Sequence, residues 1–156
     1  MWGVAIRMVH QEENIVVTRL EEKHLSMGFL ETIGSLRPTG LSPDQASFIL
    51  ASMPPNIHIF VAVESGSVIG CGTLVLEQKF IHGGGRVAHI EDVAVLPGKR
   101  GLGVGKAIVR RLVEEAESSG CYKAILDCDE SMVEYYDNLG FNKSGTHMRM
   151  EIGGKP

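Results

Sequence analysis

A run of glycines that passes directly into a helical pattern constrains the fold more than any other stretch of the chain. Residues 95–112 read VLPGKRGLGVGKAIVRRL, with four glycines between Gly98 and Lys106. Glycine lets backbone N–H groups approach an anion, and the first turn of a helix presents unpaired N–H groups at the positive end of its dipole. The stretch therefore predicts either a pyrophosphate pocket or a plain glycine-rich turn between a strand and a helix.

Two common phosphate-binding loops do not match these residues. The Walker A loop ends in Gly-Lys-Ser/Thr, but here Ala107 follows Gly105 and Lys106. The dinucleotide fingerprint spaces its glycines as Gly-x-Gly-x-x-Gly, whereas Gly101, Gly103 and Gly105 alternate with single residues. The sequence therefore excludes both of these nucleotide-binding loops.

The composition narrows the class of protein. A chain of 156 residues, 44% of them hydrophobic, is long enough for one domain with a continuous core. A net charge of −4 argues against a general nucleic-acid binder. Cys71, Cys121 and Cys128 lack metal-binding spacing and suit a reducing compartment. Because we find no membrane-spanning apolar run and no signal-peptide pattern, we expect a cytoplasmic protein without a metal.

Hydrophobic periodicity and turn signals predict an N-terminal extension at 1–12 and a single domain at 13–156, with the order β-α-α-β-β-β-α-β-α-β. The predicted strands cover residues 14–20, 57–64, 68–78, 87–96, 121–128 and 146–152. The predicted helices cover residues 22–36, 42–53, 104–118 and 131–139. The stretch FIHGGGR at 80–86 is predicted to be a flexible loop.

The glycine stretch resembles a coenzyme A loop. Residues 100–105 fit the pattern Arg/Gln-x-x-Gly-x-Gly/Ala, which holds the pyrophosphate of coenzyme A in the GCN5-related N-acetyltransferase (GNAT) superfamily. KFIH, HIEDVAV, GCYKAILDCDE and YYDNLGF, at 79–82, 89–95, 120–130 and 135–141, resemble the eukaryotic glucosamine 6-phosphate N-acetyltransferases. The resemblance implies an α/β GNAT fold with a central twisted mixed sheet and about four flanking helices.

The resemblance also implies an acyltransferase of amino-sugar metabolism. The expected reaction is acetyl-CoA-dependent N-acetylation of D-glucosamine 6-phosphate, which feeds UDP-N-acetylglucosamine synthesis, by direct transfer in a ternary complex. The expected assembly is a homodimer with shared active sites and with neither a nucleic-acid nor a membrane partner. Two alternatives stay open: a GNAT enzyme acting on another amine, such as a polyamine or a peptide N-terminus, and a non-catalytic acyl-CoA-binding module.

The same resemblance assigns the coenzyme to a strand and a loop. Backbone groups of Val93, Ala94 and Val95 are expected to pair with the pantetheine arm, and the Val93 N–H to polarise the thioester carbonyl. Tyr136 is expected near the thioester sulfur, where it can stabilise the departing thiolate. The pyrophosphate is assigned to the loop residues Arg100, Gly101, Leu102, Gly103, Val104, Gly105 and Lys106.

The attacking amine must lose a proton, so the site needs a base. Strict alternation places Glu91, Val93 and Val95 on one face of their strand. Glu91 acting through a water is the expected base, with Asp127 as the second candidate. Cys128 is a rival nucleophile, but the resembling family uses no cysteine nucleophile.

The resemblance also implies which residues contact the acceptor sugar, with Tyr122 and Lys123 coming from the neighbouring subunit. The expected contacts are Lys79, Phe80, Ile81, His82, Glu91, Asp92, Val93, Tyr122, Lys123, Asp127 and Arg149.

One departure from the family concerns the sugar phosphate. Some relatives use an arginine near the C-terminus, and an alignment through GTHMRME places Glu151 there. Arg149 lies two residues earlier and would share a strand face with position 151. Arg149 is therefore either a replacement phosphate ligand or a surface arginine paired with an acid, and if it is not the ligand, Lys79 and Lys123 bind the phosphate alone.

Overall fold

Within residues 15–153, which our computed structural model describes, five strands form one mixed sheet in the order β1-β2-β3-β4-β5. Neighbouring strands are antiparallel except for β4 and β5, which are parallel. The predicted extension at 1–12 lies outside the described residues. The strands are β1 Val16–Arg19, β2 Ile57–Glu64, β3 Ser67–Gln78, β4 Arg86–Val95 and β5 Cys121–Ile125.

Helices cover both faces of the sheet, and none in the described part is long and apolar enough to cross a bilayer. Single turns of 3₁₀-helix at Pro97–Lys99 and Glu130–Met132 precede α5 and α6. The helices are α1 Glu22–His24, α2 Leu30–Gly34, α3 Pro43–Ala51, the one-turn α4 Ile81–Gly84, α5 Val104–Ser118 and α6 Val133–Asp137.

The first predicted helix is interrupted. A π-helical turn at Leu25–Phe29 separates α1 from α2, and Gly28 within it has a φ of +97°. That left-handed conformation is accessible to glycine at little cost and cannot continue an α-helix.

The second predicted helix is confirmed as α3. Ser42 caps it, accepting a hydrogen bond from the Gln45 N–H at 3.3 Å, and Pro43 is the first helical residue.

Helix α5 docks closely on the sheet because β3 carries two glycines beneath it. A Cβ on Gly70 would lie 2.7 Å from Cδ1 of Ile108, and one on Gly72 would lie 2.8 Å from Cγ2 of the same residue. No side chain fits in either place. The buried face of α5 consists of Val104, Ile108, Val109, Leu112 and Ala116, which lie at helical spacing.

A β-bulge interrupts β4 at Asp92. Cys71 of β3 lies opposite Ala94, but Thr73 lies opposite Glu91, so one residue of β3 faces two of β4. Asp92 has a φ of +50°, a left-handed value that is uncommon outside glycine. The predicted strict alternation is therefore wrong, because Glu91 shares a face with Ala94.

The opposite face of β4 packs toward α5. Val93 and Val95 contact the core beneath that helix, whereas Ala94 contacts the core beneath α1 and α2. The bulge also leaves both Glu91 and Asp92 exposed.

The C-terminal predictions differ most from the structure. Residues 146–152 form neither strand nor helix, and β5 ends at Ile125 rather than at residue 128. Alternating apolar residues are not enough for a strand, which also needs a partner with free backbone groups. Among residues 15–153 the segment pairs with no strand, and Met148, Met150 and Ile152 are exposed. The predicted loop at 80–86 contains the single turn α4.

Candidate active site

A cleft of about 830 Å³ opens between the carboxyl ends of β4 and β5. The last paired residues of these strands are His89 and Ile125, and β4 continues to Val95 without β5 beside it. Because β5 does not follow β4 to its end, backbone N–H and C=O groups of β4 on that side have no strand partner within the residues described and lie at a wall of the cleft. The predicted coenzyme, catalytic and acceptor residues that line this cleft are Glu91, Asp92, Val93, Ala94, Val95, Arg100, Gly101, Gly103, Val104, Gly105, Lys106, Asp127 and Tyr136.

The glycine loop delivers the N-terminus of α5 to this cleft. Gly101 and Gly103 have φ values of +78° and +83°, and a Cβ on either would meet no atom within 4 Å. These positions require glycine for the backbone conformation and not for space. Ala107 donates the first α-helical N–H bond, to the Gly103 carbonyl at 3.0 Å. The N–H groups of the three residues before it are therefore directed out of the helix end, where they can bind an anion.

Two side chains brace the loop. Arg100 donates from Nε to the Val95 carbonyl at 3.1 Å, which joins the loop to the end of β4. Lys99 pairs with the buried Glu64 at the end of β2. Lys99 also lines the cleft, a position that the sequence analysis missed because nothing in the sequence indicates its partner Glu64.

Tyr135 and Tyr136 of α6 form the opposite wall. Their rings meet edge to face with centroids 5.0 Å apart, and Tyr136 also packs against Phe141 at 5.9 Å. Burial, with smaller contributions from Tyr135 and Cys128, raises the pKa of the Tyr136 phenol. The phenol therefore stays protonated at neutral pH and can donate a hydrogen bond into the cleft.

Asp127 follows β5 and has a partner that sequence analysis missed. Nδ1 of His147 lies 3.0 Å from Oδ2 of Asp127, and both side chains are more than half exposed. The contact joins segments 20 residues apart that share no motif, so the spacing gives no signal for it. Cys128 lines the same cleft, whereas Cys71 is buried and its pKa is raised to about 12, chiefly by burial.

Most of the residues predicted to contact the acceptor lie outside the cleft. His82 packs on Tyr122 with ring centroids 4.7 Å apart, and Lys123 Nζ lies 5.7 Å from the same ring. This group surrounds the start of β4, whereas the cleft lies at its end. Lys123 lies opposite Val87 and three residues before Leu126, which lines the cleft, so at about 3.3 Å per residue roughly 10 Å of strand separates the two.

The remaining predicted residues are also outside the cleft. Lys79 pairs with Glu77 at 2.5 Å, and Glu77 also accepts from His89 Nε2 at 2.8 Å. Arg149 pairs with Glu151 and lines a second depression of about 800 Å³, which shares Asp127 and Tyr136 with the cleft. The others, Phe80, Ile81 and Leu102, are exposed and do not line the cleft.

Comparison with known proteins agrees with this geometry. Residues 21–141 match the acetyltransferase (GNAT) family. The chain is 42% identical over 140 residues to the glucosamine 6-phosphate N-acetyltransferase of Trypanosoma brucei brucei, covering 85% of this chain and 92% of that protein. A probable glucosamine 6-phosphate N-acetyltransferase of Oryza sativa is 36% identical over 143 residues, covering 86% of both chains.

Solved structures confirm the predicted fold. The crystal structure of the glucosamine-6-phosphate N-acetyltransferase of Arabidopsis thaliana superposes with a TM-score of 0.85 at 30% identity, covering 90% of this chain and all of that one. A Trypanosoma brucei acetyltransferase superposes with a TM-score of 0.81 at 36% identity, covering 89% of this chain and all of that one. By sequence and by fold, this chain belongs to the GNAT acetyltransferase family.

Proposed function

We propose that the chain transfers the acetyl group of acetyl-CoA to the amine of D-glucosamine 6-phosphate, yielding the N-acetyl sugar phosphate for UDP-N-acetylglucosamine synthesis. The observation that carries the proposal is the cleft at the diverging ends of β4 and β5, where the N-terminus of α5 meets Glu91, Asp127 and Tyr136. The names of the relatives at 36% and 42% identity supply the acceptor.

In this proposal the chain holds the coenzyme along the cleft. The N–H groups of the first turn of α5, with Arg100 and Lys106 beside them, hold the pyrophosphate. The unpaired end of β4 hydrogen-bonds to the pantetheine arm, and the Val93 N–H polarises the acetyl carbonyl. The coenzyme supplies the activated acetyl group, and the protein supplies position and charge.

Proton transfer is assigned to acidic groups near the bulge. A protonated amine cannot attack, so Glu91, acting through a water, removes one proton, while Asp127 positions the nitrogen. The nitrogen forms a bond to the acetyl carbon and the carbon–sulfur bond breaks. The Tyr136 phenol stabilises the departing thiolate, which takes up the second proton that the nitrogen loses as the amide forms. Cys128 takes no covalent part, because no histidine contact activates its thiol within the described residues.

A second copy of the chain would complete the acceptor side. Tyr122 and Lys123 line neither the cleft of their own chain nor the depression beside it, so in this proposal they serve the active site of a neighbouring copy. Phe80 is fully exposed, and Met148, Met150 and Ile152 are more than four-fifths exposed. Apolar surface of this extent suits an interface between two copies. The free cysteines suit the cytoplasm.

The test is thiol release from acetyl-CoA with a panel of amino sugars, polyamines and peptides. We expect the highest kcat/KM for glucosamine 6-phosphate and a much lower value for glucosamine. Preference for a peptide or a polyamine would reassign the acceptor, and coenzyme binding without transfer to any amine would indicate a binding module. Sedimentation at several concentrations tests the dimer.

A further inference from the structure

The two glycines at the start of α5 are required for different reasons. Gly103 has a left-handed backbone, whereas Gly105 does not, and instead lacks room for a side chain. A Cβ on Gly105 would lie 2.8 Å from the Tyr135 hydroxyl and 3.9 Å from its Cζ. The hydroxyl thus sits directly over the first turn of the helix.

The Tyr135 hydroxyl has an unused hydrogen-bonding capacity. It makes no hydrogen bond to any residue from 15 to 153, although the side chain is half-buried and a tyrosine in that position usually finds a partner. Burial raises the pKa of this phenol, so the group stays an O–H donor at neutral pH.

Two kinds of donor converge at this end of the cleft. The N–H groups at the start of α5 point out of the helix end, and the Tyr135 O–H lines the same cleft. Donors directed at one place are suited to an anionic oxygen, which accepts several hydrogen bonds at once.

We propose that Tyr135 is a coenzyme-binding residue whose hydroxyl donates to a phosphate oxygen of the pyrophosphate at the N-terminus of α5, and that Gly105 is glycine to make room for it. This inference rests on the proposed function insofar as it takes the ligand to be coenzyme A. It separates the two adjacent tyrosines: Tyr136 serves the thioester end of the cleft, and Tyr135 serves the phosphate end.

The first experiment measures binding and does not depend on the acceptor. Calorimetric titration compares the wild type with Tyr135→Phe, using coenzyme A and, separately, pantetheine, which lacks the phosphates. We expect the Kd for coenzyme A to rise roughly 10- to 100-fold, the scale for losing one hydrogen bond to a charged group, and the Kd for pantetheine to change less than about twofold. An unchanged Kd for coenzyme A, or an equal rise for both ligands, would overturn the proposal.

The second experiment tests the pairing with Gly105. Gly105→Ala should weaken coenzyme A binding about tenfold or more in the wild type, because the new methyl displaces the Tyr135 hydroxyl. In a Tyr135→Phe background the same change should cost less than about threefold, since the crowding atom is gone. Strictly additive effects would contradict the pairing.

A loop glycine supplies the matched control. Gly98 has an ordinary backbone, and a Cβ there would meet nothing within 4 Å, so Gly98→Ala should leave coenzyme A binding unchanged in both backgrounds. If the wild type binds coenzyme A as expected but acetylates no amino sugar, the proposed function fails while the assignment of Tyr135 stands.

Discussion

Nδ1 of His147 lies 3.0 Å from Oδ2 of Asp127, which joins the segment after α6 to the end of β5. Both groups are more than half exposed, so their pairing contributes little to folding, and an acceptor amine could replace the imidazole as the partner of the carboxylate. The contact places a carboxylate with an exchangeable imidazole partner beside the cleft.

Asp127→Asn should lower kcat with glucosamine 6-phosphate by roughly 10- to 100-fold, because the variant keeps the shape of the side chain but loses the charge that orients the amine. The Kd for coenzyme A and the melting temperature should stay close to wild type. Steady-state kinetics with each substrate varied in turn separates the effect on kcat from the effect on coenzyme binding. A raised coenzyme Kd with normal kcat would instead place Asp127 in the coenzyme site.

Gly103→Val should raise the Kd for coenzyme A about tenfold or more. Its φ of +83° disfavours a β-branched residue, so the loop must change conformation and the N–H groups of α5 lose their alignment. Gly98→Val, in the same loop with an ordinary φ, is the control. Equal binding by Gly103→Val and wild type would refute the pyrophosphate assignment.

Tyr136→Phe should lower kcat by roughly 10- to 1,000-fold while leaving coenzyme affinity nearly unchanged. The burial that raises the pKa of this phenol keeps it protonated as the thiolate departs. Pre-steady-state measurement of thiol release isolates the chemical step. Weaker binding with normal turnover would make Tyr136 a packing residue.

Arg149→Ala should lower kcat/KM for glucosamine 6-phosphate by about tenfold or more and affect glucosamine far less. Arg149 is paired with Glu151, but the pair is exposed, so a phosphate can displace the carboxylate at little cost. The comparison of the two sugars is the measurement. An equal loss for both would show that Arg149 supports the segment and does not bind the phosphate.

Glu115 should make folding stability depend on pH. Burial opposes its ionisation, but hydrogen bonds from Arg111 and His58 outweigh burial and lower its pKa. The contribution of ionised Glu115 to the free energy of unfolding is therefore complete above the ordinary carboxyl pKa. It is lost as the pH falls through the lowered pKa of the folded state. Glu115→Gln should cost about 1 to 3 kcal/mol at pH 7, and the difference from wild type in urea unfolding should shrink at acidic pH.

Local signals predicted the elements that depend on local interactions. The hairpin of β2 and β3 turns at Ser65 and Gly66, and α3 begins after its Ser42 cap, as the residues in each stretch predict. Helix α5 follows from its apolar stripe alone. In each case the determining residues lie within one element.

Features that depend on distant partners could not be predicted in this way. The bulge at Asp92 is a mismatch in register with β3, which no pattern within HIEDVAV encodes. Residues 146–152 alternate like a strand, but no neighbouring strand pairs with them in the described chain. The contact of Asp127 with His147 and the pair of Lys99 with Glu64 also join separate elements, so the sequence identified one member of the first pair and neither member of the second.

The two glycines of β3 make the coenzyme-binding end of α5 depend on a strand that does not line the cleft. Gly70 lies beneath Val104 and Ile108, the first and second turns of α5, where even one methyl group would act as a wedge. The wedge would tilt the helix about its far end and lift the anion-binding terminus away from β4. Gly70 and Gly72 therefore set the distance between the N-terminus of α5 and the sheet because they have no side chains. Neither position belongs to a phosphate-binding motif.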